Sequence, residues 1–226
     1  MKQTKTAVLA AGSALFLAGG AAHAEDLGGG ISVSSEVAFT SNYIYRGFTE
    51  NDEEPAIQGS LDFAHESGLY LGAWGTSGAV DAGFGVEIDV YGGYTFAVTD
   101  GVWGDVGFLH YNYPEDSDIN TNELYAGVGT AFGDVEADLY VFGSDDYVGT
   151  DESSVYVETN WMAPIAAGFY GVARAGYLDI DVDGFEGYDW GVGAGYEYRS
   201  LDLNVLVVDQ EEQDDTQVAV TLGRAF

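Results

Sequence analysis

The chain ends in the stretch QVAVTLGRAF, residues 217–226, and this stretch decides the fold. Val218, Val220, Leu222 and Phe226 share one parity, with polar or small residues between them. Successive side chains of a β-strand point to opposite faces, so the pattern predicts a strand with one apolar and one polar face. Most chains end in a frayed polar tail. An alternating end with a terminal aromatic therefore predicts that the last strand pairs with another part of the chain.

The same two-residue alternation recurs through most of the sequence. In one segment Val86, Ile88 and Val90 alternate with Glu87 and Asp89. Alternation over about ten residues predicts strands, and no segment shows the 3.6-residue period of a helix. Twelve strands are predicted, with ten or fourteen as alternatives, at 31–48, 55–65, 68–76, 84–97, 102–113, 121–132, 134–143, 153–162, 168–177, 187–198, 201–208 and 216–226.

The connections between these strands alternate between two kinds. Five are short, such as HESG at 65–68 and RS at 199–200, and six are longer and mostly acidic, such as PEDSDINT and DQEEQDD. The six longer connections hold more than half of the acidic residues. Tight turns at one end and long loops at the other are typical of an up-and-down antiparallel barrel.

The first residues and the composition narrow the class of protein. Lys2 and Lys5, the apolar run 7–22 and the small residues around Ala24 predict a cleaved secretory signal peptide at 1–24, followed by a single barrel domain at 25–226. The remaining chain has four arginines against 38 Asp and Glu, a formal charge of −34, and it has no cysteine. This charge disfavours nucleic acid and anionic lipid as partners and favours cations.

Two all-β architectures fit the alternation. A soluble β-sandwich hides its apolar faces in a core, whereas a membrane barrel turns them to lipid and encloses its polar faces. The predicted strands match the ~9–11 residues that cross a bilayer, and their number is even. Aromatic residues near the strand ends, including Tyr43, Tyr45, Trp190 and Phe226, fit interfacial belts. The sequence therefore favours a transmembrane β-barrel.

Residues 37–76 and 86–128 carry a family resemblance. They contain Thr40-Ser41-x-Tyr43-x-x-Arg46-Gly47, then Pro55 to Gly59, His65 to Gly68, and Trp74-Gly75. These motifs resemble the TorF family of proteobacterial outer-membrane porins. The resemblance is close in the first half of the chain and is limited to strand layout and the terminal Phe226 in the second. It implies an outer-membrane barrel with a channel role, and it assigns no substrate.

The polar parity of the strands predicts the side chains that line the pore. These are Glu36, Arg46, Glu87, Asp89, Glu136, Asp138, Glu158 and Arg174. Arginines facing carboxylates set ion selectivity in some pores. The alternative is structural, with Arg46 and Arg174 neutralising buried acids. Because the acids outnumber the arginines, a conducting pore is expected to prefer cations.

One acidic loop resembles half of a calcium site. Asp179, Asp181, Asp183 and Glu186 lie in DIDVDGFEG, but the position expected for the bidentate acid of an EF-hand holds Trp190. An EF-hand is therefore excluded. Looser binding of Ca²⁺ or Mg²⁺ by the acidic loops stays open beside the alternative of simple solvation, and no other cofactor is expected. The terminal residues Val218, Val220, Leu222 and Phe226 are expected to act as a signal for barrel closure and assembly.

These observations favour a porin in the outer membrane of a Gram-negative bacterium, not an enzyme. His65, Glu66 and Ser67 fall in a short turn and are not expected to form a hydrolase site. The expected partners are outer-membrane lipid, lipopolysaccharide, the barrel-assembly machinery and small polar or cationic solutes; the sequence sets no oligomeric state. The alternatives are a non-conducting barrel that serves as an adhesin, receptor or membrane-stabilising protein, and a secreted soluble β-protein.

Overall fold

The structure, a computed structural model, describes residues 24–78, 85–181 and 186–226. The strands are β1 (Glu25–Gly28), β2 (Ile31–Thr40), β3 (Ile44–Tyr45), β4 (Phe48–Thr49), β5 (Ala56–His65), β6 (Leu69–Thr76), β7 (Glu87–Thr99), β8 (Val102–Asn112), β9 (Thr121–Phe132), β10 (Val135–Ser144), β11 (Ser154–Ala166), β12 (Phe169–Ile180), β13 (Glu186–Tyr198), β14 (Leu201–Gln210) and β15 (Gln217–Ala225). A single turn of 3-10 helix covers Ser117–Ile119. In these three described ranges, no helix is long and apolar enough to cross a membrane.

Twelve strands form a closed antiparallel barrel, which confirms the predicted fold class. β5 to β15 each pair with the next strand, β2 pairs with β5, and β15 returns to pair with β2. At this closure Thr221 lies opposite Thr40 and Ala225 opposite Glu36. The Phe226 amide donates to the Ser35 carbonyl at 2.9 Å. The alternating terminal stretch therefore closes the sheet, as expected from its pattern.

The outer surface of the barrel is apolar. Ile88 and Val205 are each 42% exposed and Leu139 is 49% exposed on the outward parity of their strands. Trp161 and Trp190 also lie outside and are 45% and 46% exposed. The aliphatic rows do not pack between two sheets, so the β-sandwich alternative is excluded. Outward rows of aliphatic side chains are the lipid-facing surface of a transmembrane β-barrel.

The two ends of the barrel differ, as the connection lengths predict. Connections of two or three residues join the strands at one end, which we call the short-turn rim: 66–68, 100–101, 133–134, 167–168 and 199–200. The other end, the long-loop rim, carries the connections 41–55, 77–86, 113–120, 145–153, 181–185 and 211–216. The predicted signal peptide lies outside the described residues except for Ala24.

The first barrel strand is shorter than expected. The alternation predicted a strand over 31–48, but β2 ends at Thr40, whose hydroxyl donates to the Asn42 carbonyl at 2.8 Å. The chain then turns inward, so Tyr43 is only 2% exposed and does not belong to an outer aromatic belt. The prediction was wrong because a loop folded inside a barrel also presents alternating polar and aromatic residues. The other eleven barrel strands begin and end within four residues of their expected bounds.

The packed core lies inside the barrel. Tyr43, Tyr125, Phe142 and Tyr156 belong to one buried aromatic cluster, and Tyr156 is 0% exposed. Inward glycines make room for such rings, since a Cβ at Gly127 would overlap the ring of Tyr140. An aromatic interior of this kind holds the side chains of the inward loop in fixed positions.

A charged substitution on the outer face tests the orientation of the strands. Val205→Arg, in the middle of β14, is expected to lower the free energy of unfolding by about 2–4 kcal/mol, because arginine is placed in hydrocarbon at mid-membrane depth. Ser34→Arg, on the inward parity of β2, is the matched control and is expected to cost much less. Urea unfolding in lipid vesicles measures both variants. An equal loss of stability at the two positions would contradict the orientation.

Candidate functional site

Residues 41–55 fold into the barrel from the long-loop rim. Their short hairpin, β3 and β4, turns at Arg46 and Gly47, which have φ values of 48° and 92°. A Cβ at Gly47 would overlap the side chains of Asp189 and Gln210 on the barrel wall. Glycine is therefore needed here both for the positive φ and for the close approach of the hairpin to the wall.

Hydrogen bonds and packing hold this inward loop. The Tyr43 amide donates to the Asn51 side chain at 3.0 Å, and the Tyr43 hydroxyl donates to Glu87 at 3.2 Å. Asn51 is 0% exposed. On the opposite side Ile44 packs against Val208 of β14. The loop is thus anchored to walls on both sides of the lumen.

Arg46 sits at the tip of the loop, inside the barrel. Its Nη2 donates to Glu123 Oε2 at 2.7 Å, and neither side chain is exposed. Its Cζ lies 4.4–5.7 Å from the centroids of four rings, those of Tyr45, Phe142, Tyr147 and Tyr156. Burial alone would lower the pKa of Arg46, but Glu123 and the neighbouring tyrosines raise it well above the ordinary value. The guanidinium therefore stays charged in an aromatic and carboxylate cage.

Arg174 forms a second ion-pair centre beside the first. Its Nη2 lies 2.8 Å from Asp189 and 3.6 Å from Glu158, and it donates to the Tyr156 hydroxyl at 2.5 Å. Tyr156 donates in turn to Asp189 at 2.8 Å, while its ring faces Arg46. Tyr156 therefore joins the two arginines. We call this set the arginine layer, and it consists of Arg46, Glu123, Tyr156, Glu158, Arg174 and Asp189.

The arginine layer is nearly free of solvent contact. Arg46, Tyr156 and Glu123 are 0–1% exposed, and Arg174 is 4% exposed. Burial raises the pKa of Tyr147, in the loop above the layer, to about 12, so its hydroxyl stays protonated at neutral pH. The layer and the inward loop thus occupy the lumen toward the long-loop rim.

Most of the other expected pore-lining residues lie on inward rows of the strands. Glu87 and Asp89 are buried next to the inward loop, whereas Glu36 and Asp138 are partly exposed toward the short-turn rim. Asp138 accepts from Asn160 at 2.9 Å. Glu136 lies exposed at the start of β10, beside the short-turn rim. The short-turn half of the lumen is therefore the wetter half.

Five inward carboxylates were not among the expected pore residues: Asp62, Asp105, Glu123, Asp189 and Asp202. Each accepts a hydrogen bond from a tyrosine on the inner wall. Tyr70 donates to Asp105 at 2.9 Å, Tyr170 to Asp202 at 2.7 Å and Tyr111 to Glu123 at 3.0 Å. In the same way Tyr91 donates to Asp62, and Tyr156 donates to Asp189. These five acids could have been found from strand parity, because each shares the parity of a tyrosine or another polar residue on its own strand.

The inner wall is strongly acidic. Its carboxylates are Glu36, Asp62, Glu87, Asp89, Asp105, Glu123, Asp138, Glu158, Asp189 and Asp202, with Glu136 and Glu197 near the mouth at the short-turn rim. The arginines inside the barrel are Arg46 and Arg174, and both form ion pairs within the arginine layer. The lumen therefore carries an excess of acidic groups over basic ones.

The residues of the predicted calcium half-site lie at the long-loop rim. Asp179, Asp181 and Glu186 are exposed, and Glu186 accepts from the Tyr177 hydroxyl at 2.7 Å. Asp183 lies outside the described residues. Within residues 24–78, 85–181 and 186–226, no three His, Asp or Glu side chains are grouped closely enough to hold a metal ion. Loose cation binding by the loops stays a prediction.

The fold is similar to those of solved porins. A KdgM porin structure is similar at a TM-score of 0.64 with 12% identity over 85% of this chain and 99% of that chain. A second KdgM porin structure, described as in complex with disordered oligogalacturonate, has a TM-score of 0.61 with 10% identity over 86% of this chain and 98% of that chain. NanC porin has a TM-score of 0.60 with 10% identity over 86% of this chain and 98% of that chain. At these identities the likeness is one of fold.

The sequence comparisons identify the family of the chain. No curated protein matches the chain. A family described as "Bacterial protein of unknown function (Gcw_chp)" matches residues 24–224, which include the inward loop, the arginine layer and all of the barrel strands except the last residue of β15. The chain therefore belongs to the Gcw_chp family of bacterial proteins of unknown function.

Proposed function

We propose that the protein is a porin of the bacterial outer membrane for the passive diffusion of small polar or cationic solutes. The observation that carries this proposal is the acidic inner wall, whose carboxylates far outnumber Arg46 and Arg174. Fixed negative charge along a narrow, low-dielectric passage concentrates cations and excludes anions. The fold shared with KdgM and NanC porins supports a channel role.

The excess of carboxylates in the lumen distinguishes the proposed solutes from the ligand named for one KdgM porin structure. Oligogalacturonate, named for one KdgM porin structure, is a chain of uronic acids with a carboxylate on each sugar. Such a polyanion would meet carboxylates such as Asp62, Asp138 and Asp202 here. Neutral polar solutes and cations fit this wall better, since polar solutes hydrogen-bond to tyrosine and carboxylate oxygens and cations are attracted by the carboxylates. No catalytic step is proposed.

The proposed location and partners are supported by the sequence and the outer surface. The predicted signal peptide at 1–24, the TorF-like motifs and the apolar outer rows support a place in the outer membrane of a Gram-negative bacterium. The pairing of the last strand with β2 supports a role of Val218 to Phe226 in assembly by the barrel-assembly machinery. The acidic long-loop rim would lie near lipopolysaccharide, where divalent ions bridge negative groups.

A second candidate function is favoured by one observation. The arginine layer and the inward loop leave side chains such as Asn51 and Tyr156 without solvent contact. A barrel that keeps this arrangement would conduct little or nothing and would serve as a receptor, adhesin or membrane-stabilising protein through its acidic loops. The two candidates differ in whether residues 41–55 leave the lumen.

Ion selectivity tests the proposed function. The purified chain in a planar bilayer under a KCl gradient is expected to show current steps with a reversal potential that indicates potassium preference. The reason is the excess of lumen carboxylates over arginines. A reversal potential that indicates chloride preference would contradict the proposal. An absence of steps, both here and in the loop-release variants described next, would favour the non-conducting barrel.

Release of the inward loop tests whether it restricts the pore. Arg46→Ala leaves Glu123 buried without its ion-pair partner, so it is expected to lower stability by about 3–5 kcal/mol and to raise conductance. The double variant Arg46→Ala/Glu123→Ala removes both charges and is expected to recover part of that stability while keeping the raised conductance. Urea unfolding and single-channel recording measure the two effects. Unchanged conductance in both variants would show that the loop does not restrict the pore.

A further inference from the structure

Two arginines that take no part in the lumen lie together at the short-turn rim. Arg199 occupies the two-residue turn between β13 and β14, and Arg224 lies on β15 opposite Leu201. The Ala225 amide donates to the Ser200 carbonyl at 3.0 Å, which ties the end of β15 to this turn. Both arginines are exposed. The backbone therefore places them near each other at one rim, with Arg199 over the ring of Tyr198 and Arg224 over that of Phe226, and we call them the rim arginine pair.

Arg224 belongs to a row of lipid-facing side chains. On β15 it lies between Leu222 and Phe226, which are 50% and 52% exposed, and Val37 of β2 is its partner across the closure. At the end of a strand a guanidinium reaches the headgroup region, where lipid phosphates are available as counter-ions. Its Cζ lies 4.9 Å from the ring centroid of Phe226, so the side chain rests against the barrel at the edge of the apolar band.

Neither rim arginine has a carboxylate partner in the described parts of the chain. The ion pairs there are all made by Arg46 and Arg174. The acids nearest in sequence, Glu197 and Asp202, belong to inward rows of β13 and β14, and Asp202 accepts from Tyr170 at 2.7 Å. In a chain with 38 acidic residues, two neighbouring arginines thus keep their charge available to a ligand.

The turn that holds Arg199 is also unusual among the short turns. Arg199 has a φ of 59°, a left-handed conformation that is unfavourable for a residue with a side chain. The other four short turns each contain a glycine at positive φ, namely Gly68, Gly101, Gly133 and Gly168, and in one of them Ala167 also has a positive φ of 52°. Arg199 therefore stands where the backbone favours glycine, at a cost to the stability of the turn.

We propose that the rim arginine pair binds the phosphate of an anionic glycerophospholipid in the membrane leaflet at the short-turn rim. Guanidinium groups bind phosphate oxygens in a bidentate manner, and Arg199 and Arg224 present two of them at the same rim. The acyl chains would lie against the outward row of Leu201, Leu203 and Phe226. This proposal rests on the membrane position of the barrel and is independent of conductance.

The net charge of the chain does not prevent this local binding. Salt screens charges over about 10 Å at 0.1 M ionic strength, so distant acids contribute little at the rim. Most acids lie in the lumen or in the connections of the long-loop rim, at the other end of the barrel. The chain therefore disfavours anionic lipid as a whole but attracts it at one place.

Competition between lipids tests the proposal. The full chain, purified in detergent, is mixed with equal amounts of phosphatidylglycerol and phosphatidylcholine, and retained lipids are counted by native mass spectrometry. The wild type is expected to prefer phosphatidylglycerol, and each arginine is expected to contribute about fivefold. The double variant Arg199→Gly/Arg224→Gln is expected to lose the preference. Arg199→Gly also relieves the positive φ, so urea unfolding is expected to show that it folds at least as stably as the wild type.

Controls separate the site from general charge and from other phosphates. Ser153→Asp lowers the net charge by one at the opposite rim and is expected to keep the preference. Inorganic phosphate is expected to compete only weakly with phosphatidylglycerol, because it lacks acyl chains. The binding of lipid A is expected to be the same in the wild type and the double variant. Equal phosphatidylglycerol preference in the wild type and the double variant would overturn the proposal. Loss of lipid A binding in place of phosphatidylglycerol binding would also overturn it.

Discussion

The structure depends on one constraint, which is that every backbone amide and carbonyl of a strand in hydrocarbon must be paired within the protein. An open sheet leaves an unpaired edge, so the sheet must close on itself. Here closure is made by the pairing of β15 with β2, from Thr221 opposite Thr40 to Ala225 opposite Glu36. Closure fixes which face of every strand is inside. The outward aliphatic rows and the acidic inner wall are both consequences of it.

Closure also explains why so much charge is gathered in the lumen. The outward rows face lipid and exclude charge in the middle of the strands, so the carboxylates of the strands collect inside, where tyrosine hydroxyls and two arginines compensate them. Arg46 reaches Glu123 only because residues 41–55 turn inward at Arg46 and Gly47. The same loop narrows the lumen, and its Arg46 compensates the charge of a carboxylate there. Charge compensation and restriction of the lumen are therefore properties of a single segment.

Much of this architecture could be predicted from the sequence, because a period of two records which side chains face lipid. The twelve strands, the closing role of the last one and the two unlike rims all follow from alternation and connection length. The course of residues 41–55 could not be predicted, since an inward loop shows the same alternation as a strand. The partner of Arg46 was missed for the same reason: Glu123 is contributed by β9, and only the three-dimensional path of the loop brings the two together. The strain at Arg199 is likewise visible only in the backbone.

The opposite polarity of the two faces of the barrel wall can be measured directly, because the chain has no cysteine of its own. Single cysteines placed in turn at positions 201 to 208 of β14, each carrying a spin label, can be examined in lipid vesicles by electron paramagnetic resonance. Accessibility to oxygen reports contact with lipid, and accessibility to a water-soluble nickel complex reports contact with the lumen. The account predicts oxygen maxima at 201, 203, 205 and 207 and none at the positions between them. Uniform accessibility along the strand, or shielding of the odd positions from lipid, would contradict it.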